Sequence, residues 1–139
     1  MLSSRFVPPA EGGGMEISML ECIMVGIGGF IGSVCRYLIG LLPVETNNGF
    51  PIKTLAINAI GSFVISTITV LAAKNKALNP QIVLMLKVGV CGGFTTFSTF
   101  AYESTELMKN GHIGIAFAYV ISSIVLGVAA IFAAQLLLK

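Results

Sequence analysis

The chain contains no Asp and no Trp, it has a single His, and only 10% of its 139 residues are charged. A typical soluble domain is about 25% charged, so this composition is unusual for a protein that folds in water. The net charge is only +2 and no basic stripe exists, which argues against nucleic-acid binding. His112 lies in a turn, and no GxSxG, HExxH or P-loop motif is present. We therefore expect neither an enzyme nor a nucleic-acid-binding protein.

Apolar residues dominate the chain, since 55% of it is hydrophobic and the mean hydropathy is +0.94. Four apolar segments can be drawn, at about residues 17–42, 52–73, 80–108 and 113–138. Each exceeds the ~20 residues that a helix needs to cross a bilayer. The connections are short, and Pro80 suits the first turn of the third helix. The sequence thus predicts an all-α, multi-pass membrane protein with four transmembrane helices and no separate soluble domain.

Residues 1–14 differ from the rest of the chain, because they hold two prolines, three glycines and no apolar period. No long apolar run follows Arg5 closely, which argues against a cleaved signal peptide. We interpret this stretch as a flexible extension or a start-site artefact, and we place the four-helix transmembrane domain at residues 15–139.

The distribution of Lys and Arg bears on orientation in the membrane. With four spans, the side that holds both termini carries four basic residues, or five with Arg5, against three on the other side. Two interpretations remain open. In one, the chain inserts in both orientations and two copies pair antiparallel around a pseudo-two-fold axis. In the other, the chain inserts in a single orientation, and it has too few Lys and Arg residues to indicate which one.

Small residues recur at helical spacing in two of the segments. Gly28 and Gly32 form a GxxxG pair in the first, and Gly89 and Gly93 form another in the third. Such pairs let helix backbones approach closely, so the spacing indicates packed helices.

The run from Gly92 to Phe100, GGFTTFSTF, lies inside the third apolar segment. Two adjacent glycines weaken a helix, and four hydroxyls and three rings follow. In lipid a backbone polar group without a partner costs several kcal/mol, so an interrupted helix is tolerated where it lines a cavity, binds an ion or packs against protein. We predict that the third helix is broken near its middle, at Gly92-Gly93. Carbonyls released by such a break are ligands for a small hard cation such as Na⁺.

Asn58 lies in the first half of the second helix, and Ser62 and Ser66 follow on the same face at i+4 and i+8. An amide in hydrocarbon either hydrogen-bonds across helices or faces a wet cavity. In the first case Asn58 holds helices together, and in the second its NH₂ group donates to a passing anion.

Phe97 and Phe100 share one face of the resumed third helix. An aromatic ring has an electropositive edge, so an anion can meet it edge-on without a full charge nearby. Ordinary packing is the alternative. A purely apolar packing face has no need of the four hydroxyls around these rings, which are Thr95, Thr96, Ser98 and Thr99.

Further polar residues lie on the other helices or near helix ends. Tyr119 and Ser123 are spaced i,i+4 on the fourth helix, where hydroxyls either bond backbone carbonyls or line an ion path. Arg36 ends the first helix, where it either snorkels to the interface or draws anions to a pore mouth. Glu103 lies near the end of the third helix, in a vestibule or on a solvated helix end.

Three elements together resemble the Fluc (CrcB) fluoride channels over about residues 17–138: GGFTTFSTF at 92–100, NAIGS at 58–62, and GGFIG at 28–32 followed by Arg36. The resemblance implies a passive channel that exports fluoride across the inner (cytoplasmic) membrane. It also implies an antiparallel, dual-topology homodimer in membrane lipid, with two pores and a central structural sodium ion.

The resemblance also implies roles for single residues. The implied fluoride pore is lined by Asn58, Thr96, Phe97, Ser98, Phe100, Tyr119 and Ser123. The implied vestibule residues are Arg36, Thr54 and Glu103. The implied sodium ligands are the backbone carbonyls of Gly92 and Thr95. The family's hydroxyl track along the fourth helix is shortened here, because Gly127 and Ile131 follow Ser123 at the next i+4 steps.

Two other functions are alternatives to a channel. A small proton-coupled multidrug or cation exporter has a similar size and topology, but it needs a carboxylate deep in a helix. The first helix has only Glu16 and Glu21, both near its start. A non-transporting membrane scaffold would explain the glycine faces but not the clustered hydroxyls.

Overall fold

The computed structural model describes residues 18–139. The predicted extension at 1–14 and the predicted domain start at residue 15 lie outside the described residues, and so does Glu16.

Every regular element of the described chain is helical. In chain order these are α1 (Met19–Gly40), α2 (Ile52–Lys74), α3 (Pro80–Leu84), a π-helical segment (Met85–Cys91), α4 (Gly92–Phe94), α5 (Phe97–Lys109) and α6 (Ile113–Leu137). Between residues 18 and 139, four helical spans are long and apolar enough to cross a membrane: Met19–Gly40, Ile52–Lys74, Pro80–Lys109 and Ile113–Leu137. The prediction of an all-α protein with four membrane spans is therefore confirmed.

Side chains close several of the helix ends. The Asn79 Oδ1 atom accepts the Gln81 amide at 2.8 Å, with Pro80 in the first turn of α3. At the other end of the bundle, Lys53 Nζ donates to the carbonyls of Gly40 at 2.9 Å and Leu42 at 3.2 Å. These bonds satisfy terminal backbone groups that have no partner within their own helix.

The first and third spans cross with their backbones in contact. A Cβ atom added to Gly28 would lie 2.9 Å from the Cα of Gly89, and one added to Gly89 would lie 2.8 Å from the Cα of Gly28. One added to Gly93 would lie 3.0 Å from the Cα of Gly29. No larger residue fits at this crossing without a shift of backbone, which confirms that the glycine pairs mark packed helices.

The second and fourth spans form the other close pair, where Ser66 Oγ donates to the Ile131 carbonyl at 3.1 Å. A small buried cluster lies where α2, α5 and α6 meet: Leu55, Leu107, Ala116 and Tyr119, with Phe50, Phe100 and Ile115 packed against it. Most other large apolar side chains face outward; Phe132, for example, is 59% exposed. Such a surface suits hydrocarbon or another protein rather than water.

The third span is interrupted, but two residues later than predicted. Gly92 has helical dihedrals (φ −64°, ψ −39°) and belongs to α4. The chain becomes extended at Thr95 (φ −77°, ψ 159°) and Thr96 (φ −150°, ψ 113°). β-Branched threonine accepts extended backbone readily. The glycine pair instead serves packing, because Gly93 lies against α1 at the crossing.

Candidate functional site

Asn58 on α2 is bonded to the backbone of the interruption. Its Oδ1 atom accepts the Thr96 amide at 2.8 Å, and its Nδ2 atom donates to the Thr96 carbonyl at 3.1 Å. One side chain therefore replaces the lost helical acceptor of the Thr96 amide and adds a second donor to the Thr96 carbonyl, which as the N-cap also accepts the first bond of α5. A primary amide has two N–H groups, so the second N–H of Asn58 is left for another acceptor.

The hydroxyls near the interruption are bonded mostly to local groups. Thr96 Oγ1 accepts the Thr99 amide at 3.2 Å and so caps α5. Thr95 Oγ1 donates to the Cys91 carbonyl at 2.9 Å. Ser98 is exposed, and its Oγ atom lies 3.3 Å from Thr96 Oγ1. These contacts restart the helix immediately after Thr96 and fix the direction in which α5 leaves.

Four carbonyls, those of residues 92–95, lose their helical donors at the interruption; Arg36 bonds the one of Gly93, and those of Gly92 and Thr95 bear on the predicted sodium site. In a continuous helix the Thr96 amide would bond the Gly92 carbonyl, and the Thr99 amide would bond the Thr95 carbonyl. Here the first amide donates to Asn58 Oδ1 and the second to Thr96 Oγ1. Gly92 and Thr95 are the residues whose carbonyls were predicted as sodium ligands, and their oxygens are available for a further partner.

Arg36 lies beside the interruption, in the last part of α1. Its Nε atom donates to the Gly93 carbonyl at 3.1 Å, and Ser33 Oγ lies 3.5 Å from the same oxygen. The guanidinium group is thus held against the third span. Its predicted place in a vestibule stays a prediction.

A cavity of about 650 Å³ opens at this level of the bundle. Five of the predicted pore residues line it: Asn58, Thr96, Phe97, Phe100 and Ser123. Phe97 is 79% exposed, so its ring stands at the open side of the cavity. The Oγ atom of Ser123 is buried and has no hydrogen-bond partner among residues 18–139. Most of the lining residues are apolar, and Asn58, Ser62, Lys87, Thr95, Thr96 and Ser123 are the polar ones.

Two predicted pore residues lie elsewhere. Ser98 is on the exposed side of α5, outside the cavity lining. Tyr119 is completely buried at 0% exposure, with its ring 5.3 Å from that of Phe100. Tyr119 and Ser123 therefore do not form one continuous cavity lining, although they share a helix face. The long side chain of Tyr119 reaches the ring of Phe100, whereas the short side chain of Ser123 stays at the cavity wall.

The three residues Thr54, Tyr119 and Glu103 meet near the end of the third span. Thr54 Oγ1 donates to Glu103 Oε1 at 2.8 Å, and Tyr119 Oη donates to Glu103 Oε2 at 2.7 Å. Both carboxylate oxygens are thereby bonded. Glu103 also borders two smaller cavities, of about 590 and 250 Å³, that lie by the 43–51 loop. The structure thus brings Thr54 and Glu103 together, and their predicted place in a vestibule stays a prediction.

Sequence reasoning left two residues of this region out of the candidate site. Lys87 lines the main cavity from the π-helical segment and is half-buried. A lone lysine in an apolar span was the available signal, because a charge at membrane depth is costly and marks function more often than packing. Phe50, in the loop between α1 and α2, packs on Tyr119 and carried no sequence signal.

The interrupted third span, the cavity beside it and the four apolar spans define a class: a small multi-pass membrane protein with a polar site at a broken helix. The family model described as CrcB-like protein, Camphor Resistance (CrcB), matches residues 23–135. The chain therefore belongs to the CrcB family.

Relatives in this family carry a common name. A protein named "Fluoride-specific ion channel FluC" from Chlorobaculum tepidum is 46% identical over 121 residues, 87% of this chain and 96% of the relative. One of the same name from Gloeothece citriformis is 45% identical over 122 residues, covering 87% and 98%. Another, from Methanopyrus kandleri, is 41% identical over 118 residues, covering 84% and 88%. The similarity spans all four helices.

Proposed function

We propose that this chain is a passive, fluoride-selective channel that exports fluoride across the cytoplasmic membrane. The observation that carries the proposal is the cavity at the interruption, which gathers Asn58, Phe97, Phe100 and Ser123 at membrane depth. The relatives' name, fluoride-specific ion channel, supports the same assignment.

The chemistry of the cavity suits a small, strongly hydrated anion. Such an ion enters a narrow path only if donors replace its water. The free N–H of Asn58 and the unpartnered hydroxyl of Ser123 are such donors. The edges of Phe97 and Phe100 add partial positive charge without a fixed ion, so the anion binds and still leaves. Lys87 at the cavity wall raises the local anion concentration.

A second copy of the chain is proposed to complete the site. The cavity is open beside Phe97, and polar groups at membrane depth are expensive when they face lipid. An antiparallel copy, made by insertion in both orientations, would cover this side and form two equivalent pores per homodimer. The weak bias of Lys and Arg between the two sides supports such insertion.

A structural sodium ion is proposed at the interruption. Na⁺ is a hard cation that takes oxygen ligands, and the carbonyls of Gly92 and Thr95 have lost their helical donors. These two residues would hold the ion, whose charge would balance the carbonyl dipoles where two copies meet. No His, Cys or carboxylate cluster suited to a metal occurs among the described residues, so backbone oxygens are the available ligands.

The exporter alternative has little support. Proton coupling needs a carboxylate free to exchange protons with a cation. Glu103 has both oxygens bonded, and Glu21 lies in the first turn of α1. Relatives with the name of an ion channel also argue against coupled export.

Ion efflux from liposomes tests the function. Vesicles with purified protein are loaded with potassium fluoride or potassium chloride. Valinomycin is then added to carry K⁺ out, so that charge stays balanced as the anion leaves. We expect rapid loss of fluoride, with chloride retained as well as in protein-free vesicles. Equal rates for the two halides would refute the selectivity, and fluoride retention equal to that of empty vesicles would refute the function.

The proposed assembly has a separate test. After Cys22, Cys35 and Cys91 are replaced by Ser, two variants are co-expressed, one with a single cysteine near the start of α5 and one with a single cysteine near its end, both on its exposed side. We expect cross-links in the membrane between the start of α5 in one copy and its end in the other, which only an antiparallel pair brings together. Linkage solely between identical helix ends, as in a parallel pair, would contradict the antiparallel model.

A further inference from the structure

The loop between α1 and α2 is built around Phe50. Thr46 Oγ1 donates to the Phe50 carbonyl at 2.8 Å, and the Phe50 amide donates to Asn48 Oδ1 at 3.1 Å. Gly49 has a φ of +72° and closes the turn, because its backbone N–H donates a hydrogen bond to the Thr46 carbonyl at 3.0 Å. Both backbone groups of Phe50 are therefore fixed, and so is the direction of its side chain.

The ring of Phe50 lies edge-on against Tyr119, with centroids 5.6 Å apart and planes at 79°. Phe100 contacts the same tyrosine, with centroids 5.3 Å apart. Tyr119 is thus held between a ring from the loop and a ring from α5, which explains its complete burial. Aromatic pairs of this geometry are favourable beyond the area that they bury.

Because its ring is held in place, Tyr119 in turn positions the carboxylate of Glu103. Its hydroxyl donates to Glu103 Oε2, while Thr54 donates to Oε1. Glu103 borders both cavities by the 43–51 loop, and Phe50 borders the smaller of them. A carboxylate here either stays against the helices or swings into these cavities.

We propose that Phe50 is a positioning residue for conduction: its ring fixes Tyr119, and the Tyr119 hydroxyl holds the Glu103 carboxylate at one orientation beside the mouth. The proposal rests on the proposed fluoride conduction. A mobile negative charge at the mouth repels an entering anion, whereas a carboxylate bonded to two hydroxyls has a fixed position and a smaller effect on the path. Phe50 itself does not contact the ion.

A double-mutant cycle in the liposome assay tests this chain of contacts. We expect Phe50→Leu to slow fluoride efflux by roughly twofold to twelvefold, the range that loss of one aromatic pair gives. Phe50→Tyr keeps the ring and should stay within about twofold of the natural chain. In a Glu103→Gln background, Phe50→Leu should have little further effect, because no carboxylate remains to be held. An equal slowing in both backgrounds would indicate independent effects and overturn the proposal.

A spectroscopic measurement separates this inference from the function. The chain has no Trp and three Tyr, so with Tyr37→Phe and Tyr102→Phe the emission comes from Tyr119 alone. We expect weak quenching by acrylamide in that background and stronger quenching after Phe50→Leu. Phe50→Met, which fills similar volume without a ring, replaces Phe50→Leu if the latter does not purify as a single species. Unchanged quenching would overturn the role of Phe50 whether or not the protein conducts fluoride, and protein that conducts no fluoride would refute only the function.

Discussion

The side-chain amide of Asn58 bonds both backbone groups of Thr96, a residue 38 positions away in the interruption of the third span. This pair joins α2 to the interruption. It gives Asn58 a structural function, because it fixes the course of the backbone between Thr95 and Phe97. One N–H of the amide is left over, and we propose that it serves the anion in the cavity that Asn58 lines.

Asn58→Ala removes both bonds and leaves the Thr96 amide without a partner, whereas the Thr96 carbonyl keeps the first backbone bond of α5. An unsatisfied buried group costs about 1–3 kcal/mol, so we expect a lower unfolding temperature in detergent together with loss of fluoride efflux. Thr69→Ala on the same helix is the matched control, because Thr69 is exposed and its hydroxyl bonds only the Ile65 carbonyl one turn back. Full efflux by Asn58→Ala would show that neither function of the amide is needed.

The two interpretations of Asn58 could not be separated from the sequence. The residue type and its depth in an apolar helix indicated a hydrogen bond, but the partner lies on a segment whose course depends on tertiary contacts. The position of the break was mispredicted for a related reason. Glycine lowers helix propensity, yet Gly93 is kept helical by its contact with α1, and the extended residues are Thr95 and Thr96, the second of which is bonded by Asn58.

Sequence patterns predicted the positions of the helices well, but they did not predict what surrounds each side chain. Hydropathy and length alone predicted all four spans, and GxxxG spacing predicted closely packed helices, which the structure shows to be the first and third spans. The i,i+4 spacing of Tyr119 and Ser123 correctly placed them on one face, but it did not reveal that Tyr119 is buried between two rings. One of those rings belongs to Phe50, in a loop where no period exists.

Two glycines in α1 offer a test of the crossing with the third span. A methyl group at Gly28 would meet the backbone of the π-helical segment, whereas one at Gly26 meets nothing within 4 Å. Gly26→Ala should therefore raise stability by up to about 1 kcal/mol through helix propensity. Gly28→Ala should lower it by about 1–3 kcal/mol through overpacking. Thermal unfolding in detergent measures both, and equal effects would contradict the close crossing.

Substitutions of Arg36 can distinguish a role for its positive charge from a role for its hydrogen-bond geometry. If it mainly draws anions to a mouth, Arg36→Lys keeps the charge and should conduct nearly as fast as the natural chain at low salt. If its bond to the Gly93 carbonyl positions the interruption, lysine cannot reproduce the planar donor and efflux should fall about as far as in Arg36→Gln. We expect the second result. A lysine variant that conducts normally, with a rate that declines in high salt, would favour the first.

Removal of sodium tests the ligands proposed at Gly92 and Thr95. Protein purified and reconstituted in N-methyl-D-glucamine salts should lose thermal stability, because ligand binding to the folded state stabilises it by mass action. Added NaCl should restore the unfolding temperature in a saturable manner, and the same concentration of KCl should not. Identical unfolding curves in all three salts would argue against a bound sodium ion.

Phe97 provides the sharpest test of selectivity, because its ring is 79% exposed in the single chain and contributes little to packing within it. Phe97→Ile removes the electropositive ring edge while keeping an apolar side chain. An aromatic contact is worth about 0.5–1.5 kcal/mol, which corresponds to roughly a twofold to twelvefold slower efflux of fluoride. Phe132→Ile is the matched control, since Phe132 is also exposed but lies on the outer face of α6, away from the cavity. Equal rates for the two variants would mean that the exposed ring at the cavity has no part in passing the ion, and would leave the donors of Asn58 and Ser123 as the remaining candidates.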